Sequence, residues 1–193
     1  MLGTGWFAAV AAEAGPGKTV AVVGDGAVGL LGILAARELG AERIIAMSRH
    51  ADRQALAREF GATDIVEERG DAGVARINEL TEGLGAHSVI EAVGTQESMM
   101  QAIDATRPGG TSVTSGVSHD VSLDGLTLFF SGGAPARWPG AGPSVPARPD
   151  PIDLGAKDRS RQGVRSDLPL EQAPEGGYRA MDERRATKVL LTV

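Results

Sequence analysis

The residues of this chain with the clearest chemical purpose are three glycines set between two apolar runs, in "VAVVGDGAVGLLG" at positions 20–32. Gly24-Asp25-Gly26-Ala27-Val28-Gly29 fits the pattern G-x-G-x-x-G. In such a loop the first glycine permits a tight turn, the second lets a pyrophosphate approach the backbone, and the third lets helix and strand pack closely. The helix that follows adds free N–H groups and a partial positive charge for phosphates. The reading is a dinucleotide site, and the plain alternative is a glycine-rich turn with no ligand. A second group bears on which dinucleotide is expected. An NAD site places an acid about 20 residues past the loop, on the ribose 2′-hydroxyl. Here Ser48 and Arg49 stand nineteen and twenty residues beyond Gly29, followed by His50. Serine removes the negative charge, arginine can pair with a 2′-phosphate, and His50 adds charge when protonated. The charge argument favours NADP. NAD stays open if Arg49 is a solvated cap residue and the acid is displaced to Asp52.

Other chemistries find little support. With no cysteine, disulfides and thiolate metal sites are excluded. The three histidines, at 50, 87 and 119, are scattered, so no zinc site is expected in this chain. The formal charge is −6 and no basic run interrupts it, which argues against nucleic acid as a partner. No apolar run reaches the roughly 18–20 residues that span a bilayer, and no signal-peptide pattern is present, so no membrane partner and a cytoplasmic location are expected.

The elements that must hold these residues alternate in type. Strands are expected at 19–24, 43–47, 63–68, 87–94 and 111–117. Helices are expected at 27–39, 52–60, 71–83 (capped by Asp71) and 95–110 (capped by Thr95 and stopped by Pro108). Such alternation demands right-handed crossovers and a parallel sheet covered on both faces. The fold class is α/β, a doubly wound parallel sheet (Rossmann), as a single domain with an irregular Pro/Gly-rich insertion. Its expected parts are a core at 1–133, an irregular or disordered segment at 134–167, and a helix and strand at 168–193 completing the domain, the last strand closing the sheet.

The order fails after Gly132. Residues 132–151 hold six of the ten prolines and four glycines, and the following stretch has no apolar period. "KDRSRQGVRSD", 157–167, can be encoded so that a one-nucleotide shift reads R-T-D-P-G-K-V-F-D-L-T. A reading-frame error is one account of this segment and a genuine proline-rich loop the other; codons incompatible with the shifted reading would remove the first. On the first account a helix covering one sheet face is lost. Burying one Leu or Ile contributes about 1.5–3 kcal/mol against a net domain stability of about 5–15 kcal/mol, so a marginally stable cofactor-free protein is expected.

"TGWFAAVAAEAGPGKTVAVVGDGAVGLLGILAARELGAERIIAMSRH" closely resembles the cofactor domain of zinc-dependent alcohol dehydrogenases, in the medium-chain dehydrogenase/reductase superfamily. "EFGATDIV", "SVIEAVGT" and "EGGYRAMDERRATKVLL" extend the resemblance over 3–133 and 168–193. Short-chain dehydrogenases need Tyr-x-x-x-Lys, but Tyr178 has Asp182 four residues on. The resemblance implies further cofactor contacts: Thr4 near the nicotinamide, Gly94 and Thr95 beside the ribose, Gly116 and Val117 at the carboxamide, and Lys188 near the pyrophosphate. Each has a structural alternative: a helix cap for Thr4, an N-cap for Thr95, core packing for Val117 and a surface charge for Lys188.

In the family a separate upstream domain supplies the zinc ligands and the proton relay, and the last ligand precedes the position of Thr4 by four residues. The expectation is therefore the NADP(H)-binding part of an alcohol dehydrogenase-like oxidoreductase, lacking the catalytic domain and inactive by itself. A non-catalytic nucleotide-binding module, a partner subunit and a non-functional truncated product are the other readings. A homo-oligomer formed through a sheet edge is open, as in the family.

Overall fold

Thr19–Val23 is a run of β-branched residues with alanine, and it forms β1, the most deeply buried strand: Val20, Ala21, Val22 and Val23 lose all contact with solvent. A strand apolar on both faces belongs in the middle of a parallel sheet. The computed structural model describes residues 2–118, 120–126, 128, 134–137 and 166–192. The chain divides into two compact units, Met1–Pro143 and Ser144–Val193.

In the first unit α1 (Leu2–Ala11) precedes β1, followed by α2 (Ala27–Glu38), β2 (Arg43–Met47), α3 (Ala51–Phe60), β3 (Asp64–Val66), α4 (Gly70–Leu80), β4 (Ala86–Glu91), α5 (Gln96–Asp104) and β5 (Thr106–Thr114). A further strand, β6 (Ala134–Arg137), completes a six-stranded sheet in the order β3-β2-β1-β4-β5-β6, every pair parallel. The order reverses between β1 and β4. Chains leaving their carboxyl ends turn to opposite sides, and a crevice opens there.

Packing explains the spacing of small residues in α2. Its residues Gly29 to Ala36 are all buried because the sheet lies on one side and α1 on the other. A methyl group on Gly5 would come within 2.7 Å of the Leu31 carbonyl carbon, and one on Gly32 would touch Ile90 Cδ1 at 3.5 Å. The two glycines thus let three layers approach closely. The opposite face of the sheet buries Ala21, Val23, Ile45, Met47 and Val89 against Ile77 of α4 and Ala102 of α5.

Several boundaries differ from the sequence reading. Residues 2–11, given no element there, are helical. Asp71 lies in the first turn of α4, not at its cap, which is Arg69. Helix α5 ends at Asp104, before Pro108, because Thr106 already pairs with Ala86 of β4 and its hydroxyl donates to the Ala102 carbonyl at 2.7 Å. Arg107, preceding a proline, also disfavours helix. Ala134–Arg137, in the stretch expected to be irregular, is strand β6; residues 138–165, with most of the 157–167 segment, lie outside the described residues.

In the second unit, β7 (Ser166–Pro169) runs parallel to β8 (Val189–Thr192) in a two-stranded sheet of their own. The last strand therefore does not join the main sheet as expected; the free edge of β5 is taken by β6. The helix expected over 168–185 starts only at Leu170, as a tight turn to Gln172, a wide turn over Ala173–Tyr178 and one α-helical turn over Arg179–Asp182. Pro174 lacks an N–H and Gly176 and Gly177 favour non-helical backbone, which accounts for the irregular winding. No helix among the described residues is long and apolar enough to cross a membrane.

Candidate cofactor-binding site

The glycine loop leaves β1 at its carboxyl end, beside the crevice where the sheet order reverses. Gly24 takes a φ of +115°, which a side chain strongly disfavours, and a Cβ there would press on Val93 Cγ2 at 2.8 Å. Gly29 lies in the first turn of α2, where a Cβ would fall on the Gly24 carbonyl oxygen, far inside van der Waals contact. Both glycines are demanded by the protein's own packing.

Gly26 is different. It is the N-cap of α2 in extended backbone, with φ −77° and ψ 179°, which any residue can adopt. A Cβ on Gly26 would meet nothing within 4 Å. Among the described residues no side chain caps the first turn of α2. Its leading N–H groups carry the positive end of the helix dipole and are left without a side-chain acceptor. An anionic ligand supplies what a capping serine or aspartate would supply elsewhere.

At the end of β2, Ser48 is buried, with 1% of its surface exposed. Its hydroxyl donates to Asp25 Oδ2 at 2.8 Å, and its carbonyl accepts from Gln54 Nε2 at 3.0 Å. Arg53 Nη1 lies 3.5 Å from the Asp25 carbonyl oxygen. Arg49 is exposed, and His50 is the exposed N-cap of α3 without a side-chain capping bond. Asp52 is exposed in the first turn of α3. The fold thus joins Asp25 to Ser48, a pair separated by 23 residues, and leaves Arg49, the next residue, exposed.

Across the crevice, Gly94 turns with φ +91° at the end of β4, and a Cβ there would come within 2.8 Å of the Val117 carbonyl oxygen. Gly116 packs back on the Gly94 amide. Gly94, Thr95, Gly116 and Val117 therefore form one closely packed pair of turns, with Val117 mostly exposed rather than in the core. Thr95 is an N-cap: its hydroxyl accepts from the Ser98 amide at 3.2 Å and the Ser98 hydroxyl accepts from the Thr95 amide at 3.1 Å. Thr4 lies inside α1, half-buried, and is not a cap. Lys188 belongs to the second unit and is exposed just before β8.

One residue absent from the sequence reading underlies this turn. Glu91, at the end of β4, is fully buried. Its Oε1 accepts from the amides of Val93 at 2.7 Å and Gly94 at 2.8 Å, and from the Ser98 hydroxyl at 2.8 Å. Oε2 has no partner. The signal was a lone charged residue inside the apolar run "HSVIEAVG", since a buried charge must be held by hydrogen bonds.

Among the described residues no three His, Cys, Asp or Glu side chains converge as metal ligands do. His87 is instead built into the opposite end of the sheet: its Nδ1 accepts from the Thr19 amide at 3.1 Å, and Arg107 Nη1 lies 2.6 Å from its Nε2. His119 lies outside the described residues.

Comparison with known proteins agrees with this geometry. The zinc-binding dehydrogenase family pattern matches residues 27–133. The chain is 44% identical over 120 residues to a zinc-binding alcohol dehydrogenase of Mycobacterium tuberculosis, covering 62% of this chain and 30% of that protein. It is 37% identical over 128 residues to the NADP-dependent isopropanol dehydrogenase of Clostridium beijerinckii, covering 66% of this chain and 36% of the relative. Among solved structures, the alcohol dehydrogenase TADH from Thermus sp. ATN1 superposes with a TM-score of 0.79 at 30% identity, over all of this chain and 56% of that one. The chain thus spans about a third of the two relatives and about half of the solved structure. With the family's sequence pattern, its parallel sheet and its glycine loop at the sheet's turning point all present, the chain belongs to the zinc-binding dehydrogenase family.

Proposed function

We propose that this chain is the NADP(H)-binding domain of a zinc-type alcohol dehydrogenase-like oxidoreductase. The observation that supports this most directly is Gly26. The protein's packing leaves open space where a side chain would stand, at a helix terminus that no side chain caps. A glycine that the fold does not require is accounted for by the close approach of a diphosphate.

In this reading Gly24–Gly29 hold the pyrophosphate through the amides of the first turn of α2. Arg49 and His50 face the adenosine ribose, where the guanidinium pairs with a 2′-phosphate, and Ser48 acts from beneath by holding Asp25. The turns at Gly94–Thr95 and Gly116–Val117 flank the nicotinamide half, and Thr4 is assigned to the nicotinamide. When bound, the nicotinamide supplies the hydride exchanged with an alcohol or carbonyl. The donor set for a catalytic zinc, three converging protein ligands, is not assembled by the described residues, so no step is assigned to a metal here. By themselves these 193 residues bind cofactor without turning over alcohols or aldehydes.

The test is titration with NADPH and NADH, following nicotinamide fluorescence, for the natural chain and Gly26→Ala. The natural chain should bind NADPH more tightly than NADH and should not oxidise NADPH with aldehydes above background. Gly26→Ala should weaken both nucleotides by about tenfold or more, equivalent to about 1.4 kcal/mol, while leaving the melting temperature in place. Equal affinity of the two chains would remove the loop from the site.

A further inference from the structure

We infer that Asp25 is a specificity-determining residue that opposes the basic groups around it and narrows the preference for NADPH over NADH, an inference that rests on the site proposed above. NAD sites place a carboxylate at the end of the second strand to accept from the ribose 2′-hydroxyl. In this chain the end of β2 carries Ser48 and Arg49, but the position is not without an acid. Asp25, at the first variable position of the glycine loop, reaches it from the neighbouring strand. The Ser48 hydroxyl donates to Asp25 Oδ2 at 2.8 Å, which fixes the carboxylate there. Asp25 is half-buried and remains open to a ligand, while Ser48 below it is sealed from solvent.

The subsite therefore contains the Asp25 carboxylate, held from beneath by the buried Ser48 hydroxyl, with the Arg53 guanidinium 3.5 Å from the Asp25 carbonyl oxygen and Arg49 exposed next in sequence to Ser48. A ribose 2′-hydroxyl can donate to the carboxylate. A 2′-phosphate carries up to two negative charges, is drawn to Arg49 and repelled by Asp25, and cannot satisfy both. At separations of a few ångströms near a protein surface one unit charge is worth a substantial factor in affinity. The letters at the end of β2 carry positive charge; the tertiary contact adds the Asp25 carboxylate to it.

Asp25→Asn removes the charge and keeps an oxygen that accepts from Ser48. It should tighten NADPH by about five- to tenfold and leave NADH unchanged or weaker. Asp25→Ser, a smaller side chain without charge, should move the ratio in the same direction. An unchanged ratio of NADPH to NADH affinity in both variants, or weaker NADPH binding, overturns the inference and leaves the cofactor site standing. Binding of neither nucleotide by the natural chain overturns the site itself and the inference with it. If neither variant folds, salt decides: with Asp25 offsetting Arg49, the natural chain's ratio should change less than about twofold between 50 and 500 mM salt. A steep collapse of the NADPH advantage over that range would show an unopposed Arg49 and overturn the inference.

Discussion

Glu91 shows how much one side chain can organise. Its Oε1 collects two backbone amides and a hydroxyl in a place without solvent, so the turn at Ala92–Thr95 is fixed by a single carboxylate oxygen. Removing that acceptor strands three donors, and each unmet donor in a dry site costs about 1–3 kcal/mol. Glu91→Ala is expected to destabilise the protein by about 3 kcal/mol or more, with the cavity adding to the loss. Glu91→Gln keeps an acceptor oxygen and should cost about 1 kcal/mol. Urea denaturation of the two variants checks the ordering; an Ala variant no worse than Gln would show that Oε1 is not the organising atom. Asp25 carries a similar lesson at the opposite side of the crevice. As a letter it is a filler between two glycines; in space it is the partner of Ser48.

At the scale of the element, α2 and its loop divide the glycines by purpose. Gly29 is fixed by the protein itself: a methyl group there has the Gly24 carbonyl oxygen in its place. Gly29→Ala must push α2 away from the end of β1, and overpacking of this kind costs about 1–3 kcal/mol or more. The expected outcome is a lower urea midpoint together with lost nucleotide binding. Gly26→Ala should lose binding with its midpoint unchanged. Finding the two variants alike in stability would contradict the division. Helix α5 presents the opposite design from α2. Thr95 and Ser98 exchange bonds across its first turn, so its leading amide is satisfied by the chain and not left for a ligand.

For the whole molecule, the amino-terminal end of the main sheet carries a feature that couples stability to pH. His87 joins β4 to the Thr19 amide of β1 and lies against Arg107 of β5. Burial, then the positive charges of Arg107 and Lys18, lower its pKa below the ordinary histidine value. The unfolded chain, with a histidine pKa of about 6.5, then binds more protons than the folded one below that pH. The stability associated with neutral His87 is fully present above about pH 6.5 and is lost as pH falls below it. His87→Gln keeps an acceptor and does not titrate. Denaturation from pH 7.5 to pH 5 should show a steeper fall for the natural chain than for His87→Gln; parallel curves would mean that His87 is not the group responsible.

The sequence by itself determined the alternating strands and helices, the glycine loop between β1 and α2, and the family, because hydrophobic period and glycine spacing are local properties that the chain writes along its length. The cap at Thr95 was legible for the same reason. What the second unit does with 166–192 was not: that Val189–Thr192 pairs with Ser166–Pro169 depends on which edge is free, and a strand's partner is not encoded in its own residues. The end of α5 was misplaced because Thr106 answers to Ala86 across the sheet before Pro108 can act. The electrostatics of the cofactor site were decided only by tertiary structure. Charges interact through space, so a reading that saw Ser48 and Arg49 as neighbours in sequence could not see that the parallel pairing of β1 and β2 carries Asp25 to the same place.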